Sequence, residues 1–139
     1  MANFRAPLAG FLLLMVAASA MADWERVGKT SRSSYMVFSD EVVYYIDPAT
    51  LSREGSIRRI WEIHDLSDKG PDGEKSVLAS VEYDCADNRL RTLKATGRSL
   101  PMARGQIIPL IRYSDEWIIL QRGKDDAVFF KILETVCAR

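Results

Sequence analysis

Cys85 and Cys137 are the two cysteines of the sequence, and three kinds of chemistry are open to them. They can form a structural disulfide, remain as free thiols, or share a metal ion. Neither has a second cysteine or a histidine at the spacing of a metal site, which argues against a metal. In an exported protein an even number of cysteines favours a disulfide. That bridge would close a loop of about 50 residues and stabilise the fold by up to about 4 kcal/mol.

No other residues form a recognisable catalytic motif. His64 is the single histidine, and a histidine without a neighbouring ligand is more often a surface or hydrogen-bonded structural residue. The serines lack a basic partner in any nucleophile motif, and the paired carboxylates suit a helix N-terminus better than an acid/base pair. These residues are Ser31, Ser33, Ser34, Asp125 and Asp126. We therefore expect no catalytic residue, no metal, no cofactor and no enzymatic activity.

A protein without catalytic residues could act as a protein-binding module, and two other classes of function remain open. A hydrolase could assemble its residues only on folding, and it would show a pocket lined by two or more ionisable groups with strongly shifted pKa values. An inhibitor or chaperone-like partner would carry a recognition motif on a loop, for which 68–74 and 98–109 are the candidates. An open sheet face without such a pocket would favour a protein-binding module.

Arginines cluster on segments that we expect to be neighbouring strands. Arg58, Arg59, Arg89 and Arg91 could form a basic stripe on the exposed face of a sheet and bind a protein partner. Adjacent strand residues point to opposite sides, so Arg58 and Arg59 cannot both join the stripe. Arg58 shares its side with Glu62 and His64 and is therefore favoured. The alternative is a solvated strand face whose charges discourage aggregation.

The pattern of residues from about position 40 onward is typical of short strands separated by turns. A β-branched and aromatic run predicts a strand over 42–46, ended by Asp47-Pro48. Alternation predicts strands over 57–66 and 76–85, joined by the turn-rich loop 68–74, and the second strand is expected to be half-buried. Strands are also expected over 89–97 and 117–120, whereas 101–109 is expected to be irregular.

The C-terminal segment changes period. From Ala127 the apolar residues fall on one arc at 100° per residue, which predicts an amphipathic helix with Cys137 on its inner side. Cys85 falls on the inner side of its strand, with Val77, Ala79, Val81 and Tyr83. A bridge between these cysteines would fasten helix to sheet. We therefore predict an α+β fold: a single antiparallel β-sheet of about five or six strands with a C-terminal α-helix disulfide-linked to one face.

The N-terminus predicts export. Residues 1–22 combine Arg5, the apolar run 8–18 and a small-x-small ending at Ala20 and Ala22, as in a cleavable signal peptide. That run is too short to span a bilayer, and no other segment is apolar enough. No cysteine follows the predicted cleavage point. We therefore expect one domain, 23–139, periplasmic or secreted, without a lipid anchor or a transmembrane segment.

Charge excludes one class of partner. Lysine and arginine together number 19, as do aspartate and glutamate. A neutral chain without a dense basic run has no general attraction to nucleic acid.

The sequence resembles the bacterial surface-adhesin protein E-like domain family over nearly all of 23–139. The resemblance rests on the order of its motifs rather than on any one of them. These are Trp24, the run 44–51 with its Asp-Pro turn, Gly55, Ile57, the run 58–65 around Trp61, Ser76, the run 81–85, Arg89, Arg91, Trp117 and Cys137. It implies the same sheet and disulfide-linked helix, and a role in binding host matrix or envelope proteins. The alternative function is a small periplasmic protein of another role, such as an inhibitor or an envelope-maintenance partner.

Overall fold

A computed structural model describes residues 22–30, 40–111, 113–123 and 127–139. Nearly all of the predicted signal peptide lies outside these ranges, as do Ser31, Ser33, Ser34, Asp125 and Asp126. The described residues form seven strands followed by one helix. They are β1 (Glu25–Thr30), β2 (Val42–Glu54), β3 (Ile57–Leu66), β4 (Ser76–Asp84), β5 (Arg89–Leu100), β6 (Arg104–Ile108), β7 (Ile118–Ile119) and α1 (Ala127–Cys137).

The strands form one antiparallel sheet. β1 to β6 lie in chain order, and β7 pairs with β5 beside β6. Each strand from β1 to β5 therefore pairs with the next one along the chain, and tight turns join β2 to β3 and β4 to β5. Gly55 and Asn88 make two of these turns with φ of 57° and 49°, a conformation that glycine and asparagine adopt most readily. The predicted fold class is confirmed, with a seventh strand.

Two strand predictions were wrong in detail. Asp47-Pro48 does not end β2, because the strand resumes after a register shift between Asp47 and Ser52. Thr50 Oγ1 bridges the shift, donating to Asp47 O at 2.7 Å and accepting from Trp61 N at 3.0 Å. The proline, which has no N–H, thus lies in an irregularity of the strand. The expected irregular segment 101–109 contains β6, although two residues with positive φ, Met102 and Ala103, precede it.

The inner face of the sheet and α1 enclose the core. Val42, Ile46, Ile60 and Ala79 on the sheet and Ile132 on the helix are at most 1 % exposed. Each sheet position follows from the register, because residues paired across antiparallel strands point to the same side. Full burial of one isoleucine or valine side chain contributes roughly 1.5–3 kcal/mol to the stability of the fold. This apolar layer is therefore the main source of stability.

The outer face of β4 is also buried, contrary to the predicted half-exposed strand. Ser76, Ser80, Glu82 and Asp84 are each at most 5 % exposed. Ser76 shows why: its hydroxyl donates to Leu100 O at 2.7 Å and accepts from Ala103 N at 2.9 Å. The β5–β6 turn is therefore held over this end of β4. Alternation identified the two sides correctly, but it could not reveal that polar contacts cover the second one.

The predicted disulfide is confirmed. Cys85 and Cys137 are bonded, with their Cα atoms 5.9 Å apart. The bond joins the residue after β4 to the last residue of α1, so the helix is covalently attached to the sheet. A disulfide of this kind fits an extracytoplasmic location.

Candidate functional site

The outer face carries a carboxylate held between two arginines. Register places Arg59 beside Glu82 and Glu82 beside Arg91 on β3, β4 and β5. Arg59 Nη2 donates to Glu82 Oε2 at 3.2 Å, while Arg91 Nε and Nη2 lie 2.8 and 2.7 Å from Oε1. The Glu82 side chain is 7 % exposed, against 52 % for Arg59 and 37 % for Arg91. The two guanidinium groups therefore cover the carboxylate and remain accessible themselves.

A second ion pair lies one position further along the same face. Arg89 Nε donates to Asp84 Oδ2 at 3.0 Å, and Ser56 Oγ and Ala86 N donate to Asp84 Oδ1, each at 3.0 Å. Burial alone would raise the pKa of Asp84. The hydrogen bonds from Arg89, Ser56 and the following backbone outweigh it and hold the pKa below its ordinary value. Asp84 is therefore a fixed anion that orients Arg89.

Trp117 lies against Arg89 and Arg91 of β5. The centroid of its ring is 4.4 Å from Arg89 Cζ and 4.6 Å from Arg91 Cζ, which is cation–π distance. β7 positions the indole, because its pairing with β5 sets Ile118 opposite Leu90 and so carries the preceding residue toward Arg91. We name Arg59, Glu82, Asp84, Arg89, Arg91 and Trp117 the outer-face cluster.

The outer-face cluster is not a basic stripe. Its three arginines face Glu82, Asp84 and also Asp87, whose Oδ2 lies 3.7 Å from Arg89 Nη2. Three positive charges thus meet three negative ones, and the long-range field of the cluster is small. What the cluster presents is a set of oriented guanidinium groups beside an aromatic ring, suited to short-range hydrogen bonding and stacking.

Arg58 does not belong to this surface, which corrects the choice made from the sequence. It pairs with Tyr83 and therefore points toward the helix side of the sheet, whereas Arg59 pairs with Glu82 on the outer side. Its Nη1 donates to Gly55 O at 2.9 Å and to Ile57 O at 3.2 Å, within its own turn. The error came from treating Glu62 and His64 as residues of the exposed side.

Glu62 and His64 are in fact buried beneath α1. They are 1 % and 6 % exposed and lie on the same side as Ile60 and Leu66. One oxygen of Glu62 accepts the hydroxyl hydrogen of Tyr83, and the other lies 2.8 Å from His64 Nε2. The Tyr83 pKa lies well above its ordinary value because the side chain is buried and, secondly, because the Glu62 carboxylate is adjacent. Tyr83 is therefore a hydrogen-bond donor to Glu62.

A cavity of about 50 Å³ adjoins these groups. The Tyr44 ring lies 4.7 Å from the His64 ring and 5.3 Å from the Phe129 ring, centroid to centroid. The remaining lining comes from β4, β5, β7 and the segment before β7, and it comprises Val81, Leu90, Thr92, Ser114 and Ile118. We name this space the helix-side cavity. No motif in the sequence marks this cavity, although Ile60, Glu62, His64 and Leu66 do alternate with Trp61 and Ile63.

Metal binding and membrane spanning can each be assessed for the described part of the chain. No group of three or more histidine, cysteine, aspartate or glutamate side chains is arranged there to hold a metal ion. None of the helices described there is long and apolar enough to cross a membrane. The predicted turn at 70–73 is present, and Glu74 closes it by accepting from Asp72 N at 3.0 Å.

Comparison with solved structures shows a shared fold. Three structures of Haemophilus influenzae protein E resemble this chain. Crystal form II has a TM-score of 0.56 and 17 % identity, covering 77 % of this chain and 89 % of that one. A selenomethionine form gives 0.55 and 14 %, covering 69 % and 79 %. Protein E from a non-typeable strain gives 0.53 and 17 %, covering 77 % of each chain.

A search of curated proteins returns no match. The profile of one family, described as surface-adhesin protein E, does match, and it spans residues 24–138. That span covers every described strand and the helix, including both cysteines and the outer-face cluster. The chain belongs to the surface-adhesin protein E family.

Proposed function

We propose that this protein is an exported, adhesin-like binding module of the cell envelope, without catalytic activity, that binds a protein partner through the outer-face cluster. One observation carries the proposal: in a member of an adhesin family, arginine and tryptophan side chains are held side by side on the sheet face opposite the helix. The partner is a host matrix protein or another envelope protein.

The residue types of the cluster suit a protein interface. Tryptophan and arginine are enriched among the residues that dominate binding energies, because each combines a large apolar surface with directed hydrogen bonds. Glu82 and Asp84 hold the arginines in place before binding, so less side-chain freedom is lost when a partner docks. Ile119, 69 % exposed on the same edge, adds apolar contact area.

The charge balance of the cluster changes the expected response to salt. A basic stripe would lose affinity steeply as salt rises, since exposed charges are screened beyond about 8 Å at physiological ionic strength. A cluster with equal numbers of positive and negative groups has little long-range attraction to lose. We therefore expect affinity to change by less than about threefold between low and physiological salt.

Export is part of the proposal. The N-terminal segment has the pattern of a cleavable signal peptide, and the Cys85–Cys137 bond fits the oxidising compartment that export would reach. The absence of a cysteine after the predicted cleavage point leads us to propose a periplasmic or secreted protein without a lipid anchor. The mature domain would then begin at Asp23.

The helix-side cavity meets part of the criterion for an assembled enzyme, since Glu62, His64 and Tyr83 line it. The contacts within it favour a non-catalytic role. His64 Nε2 is directed to Glu62 rather than to the hydroxyl of Thr92 or Ser114, and the Tyr83 hydroxyl is directed to the same carboxylate. With a raised pKa, Tyr83 stays protonated near neutral pH and cannot act as a base.

The test is a binding assay with a matched control on the opposite side of the sheet. Purified protein is immobilised and exposed to envelope extract and to host matrix proteins, and bound partners are quantified. The variant Arg59→Lys/Arg91→Lys keeps positive charges beside Glu82 but loses the planar guanidinium groups. The variant Trp117→Ala removes the indole ring. Arg58→Lys, which alters the neighbouring arginine on the helix side, is the control.

We expect both cluster variants to lose binding at least tenfold, while Arg58→Lys binds as the wild type does. Equal binding by all four proteins would exclude the outer-face cluster as the interface. Failure of the folded wild type to bind any protein in either extract would refute the adhesin-like role. It would favour the alternative of a small periplasmic protein with another role.

A further inference from the structure

The helix-side cavity has a chemical character that the adhesin-like role does not use. Its wall carries three aromatic rings, those of Tyr44, Tyr83 and Phe129, and the carboxylate of Glu62. Its volume of about 50 Å³ is several times the roughly 10–15 Å³ that one water molecule needs. The cavity can therefore hold a compact chemical group, and its lining determines which kind.

The carboxylate is the main determinant. Glu62 is 1 % exposed, and its two hydrogen-bond partners are Tyr83, which is neutral, and His64, which is positive only when protonated. The other titratable group that faces His64 is Tyr44 on β2, while α1 contributes only the ring of Phe129. No lysine or arginine is among the described residues that line the cavity. Apart from His64, the lining thus sets no basic side chain against the buried Glu62 carboxylate, an arrangement that suits a cationic ligand.

The aromatic rings determine which cation fits best. A primary ammonium needs several hydrogen-bond acceptors to replace its water, whereas Glu62 already accepts hydrogen bonds from two partners. A methylated ammonium is weakly hydrated, so it loses less hydration free energy on entering the cavity. It also gains cation–π attraction from aromatic faces within about 6 Å. The Tyr44 and Phe129 rings meet edge to face, and the Tyr83 ring lines the same space.

We propose that the helix-side cavity is a binding site for the methylated ammonium group of a small organic cation. The group would contact Tyr44, Tyr83 and Phe129, with Glu62 supplying the opposite charge. The rest of the ligand would extend past Ser114, which is exposed and forms part of the rim. This site lies on the helix side of the sheet, away from the outer-face cluster, and does not depend on the adhesin-like role.

His64 gives a direct readout because the sequence contains no other histidine. The whole chain is expressed, and the imidazole signals of the purified protein are followed by NMR at about pH 8, where an ordinary histidine is neutral. Tetramethylammonium and choline are each titrated into the protein. The neutral control is 3,3-dimethylbutan-1-ol, which has the shape of choline but carries no charge. Butylammonium serves as the primary-amine probe.

We expect saturable shifts of the His64 signals with tetramethylammonium and choline, and at least tenfold weaker binding of the neutral compound and of butylammonium. Glu62→Gln should weaken choline binding at least tenfold, and Phe129→Leu severalfold. Glu54→Gln, the same change at an exposed carboxylate near the end of β2, should leave it unchanged. If Glu62→Gln does not fold, the comparison of choline with its neutral counterpart on wild-type protein still shows whether the cavity prefers a positive charge.

Three results would overturn the proposal. Choline and its neutral partner could bind equally, which would make the cavity merely apolar. Butylammonium could bind more tightly than tetramethylammonium, which would assign the site to primary amines. The third result would be that neither cation shifts the His64 signals. The cavity would then be a water-filled space, with Glu62 bonded only to Tyr83 and His64.

Discussion

The Cys85–Cys137 bond should be the largest single contribution to the stability of this domain. The bond closes a loop with a sequence separation of 52 residues. The chain-entropy relation for a loop of that length gives about 4 kcal/mol of destabilisation of the unfolded state. Since small domains are typically stable by about 5–15 kcal/mol, removing the bond should leave a protein that is folded but marginal.

The variant Cys85→Ala/Cys137→Ala tests this magnitude by urea unfolding. Alanine is preferred to serine, because a hydroxyl at these partly buried positions would need a new hydrogen-bond partner. With an m-value of about 2 kcal/mol/M for a domain of this size, the unfolding midpoint should fall by about 2 M urea. Wild-type protein unfolded in the presence of a reductant should approach the same midpoint.

Single variants separate the cross-link from the packing of the two side chains. Either cysteine alone cannot form the bond, so Cys85→Ala should lose nearly as much stability as the double variant, and the two losses should not add. Reductant should have no effect on the double variant. A double variant within about 1 kcal/mol of the wild type would show that the unfolded chain is already restricted, and the entropy calculation would be refuted.

Three further predictions concern single positions. Asp84 has a lowered pKa in the folded state, so its contribution is complete above its ordinary value of 3.8 and is lost as pH falls through the folded value. The stability difference between wild type and Asp84→Asn should therefore shrink on acidification, as followed by thermal unfolding. Tyr83 has a raised pKa, so stability should be complete below its ordinary value of 10.0 and decline above it. Tyr83→Phe should decline less steeply at alkaline pH. Gly97→Ala should destabilise by about 1–3 kcal/mol, because the added Cβ would lie 2.9 Å from Ile108 O and 3.0 Å from both Glu74 Cβ and Leu110 Cδ2.

Each of these has a matched control. Asp87→Asn alters an exposed carboxylate beside Arg89 and leaves Asp84 in place, so the loss of stability that Asp84 causes on acidification should remain. Tyr45→Phe alters a tyrosine on the outer side of β2 and should retain the alkaline decline. Gly123→Ala places a Cβ where no atom lies within 4 Å and should be neutral. A constant stability difference for Asp84→Asn at all pH values, or equal stability of the two glycine variants, would contradict the corresponding reasoning.

The period of the apolar residues was sufficient to predict most of the fold. The change from alternation to a helical arc located α1, and the two cysteines fell on the sides that face each other. β6 was missed because its side chains are largely exposed and it lies between two prolines, so no apolar pattern marks it. The continuation of β2 was missed because it depends on hydrogen bonds of the Thr50 hydroxyl to Asp47 O and Trp61 N, which no apolar pattern marks.

The candidate sites were predicted less well, because each face of β3 carries a fully buried apolar residue. Ile60 and Ile63 point to opposite sides, yet they are 1 % and 0 % exposed. Alternation therefore separated the residues of β3 correctly but could not tell which set faces the helix. Taking the side of Glu62 and His64 as the exposed one favoured Arg58 over Arg59 and concealed the helix-side cavity.

The first strand and the last residue of the chain meet. Glu25, which opens β1, and Arg139 form an ion pair, with Arg139 Nη2 2.9 Å from Glu25 Oε2, and α1 packs on β1. Because Arg139 lies beside the start of β1, the order of the elements could be rotated by joining these two points without breaking a strand pairing. A short linker from 139 to 23 and a cut in the exposed loop between β3 and β4 would give a circular permutant with every strand neighbour retained. In such a permutant the helix would precede β1, and both cysteines would be synthesised before β1.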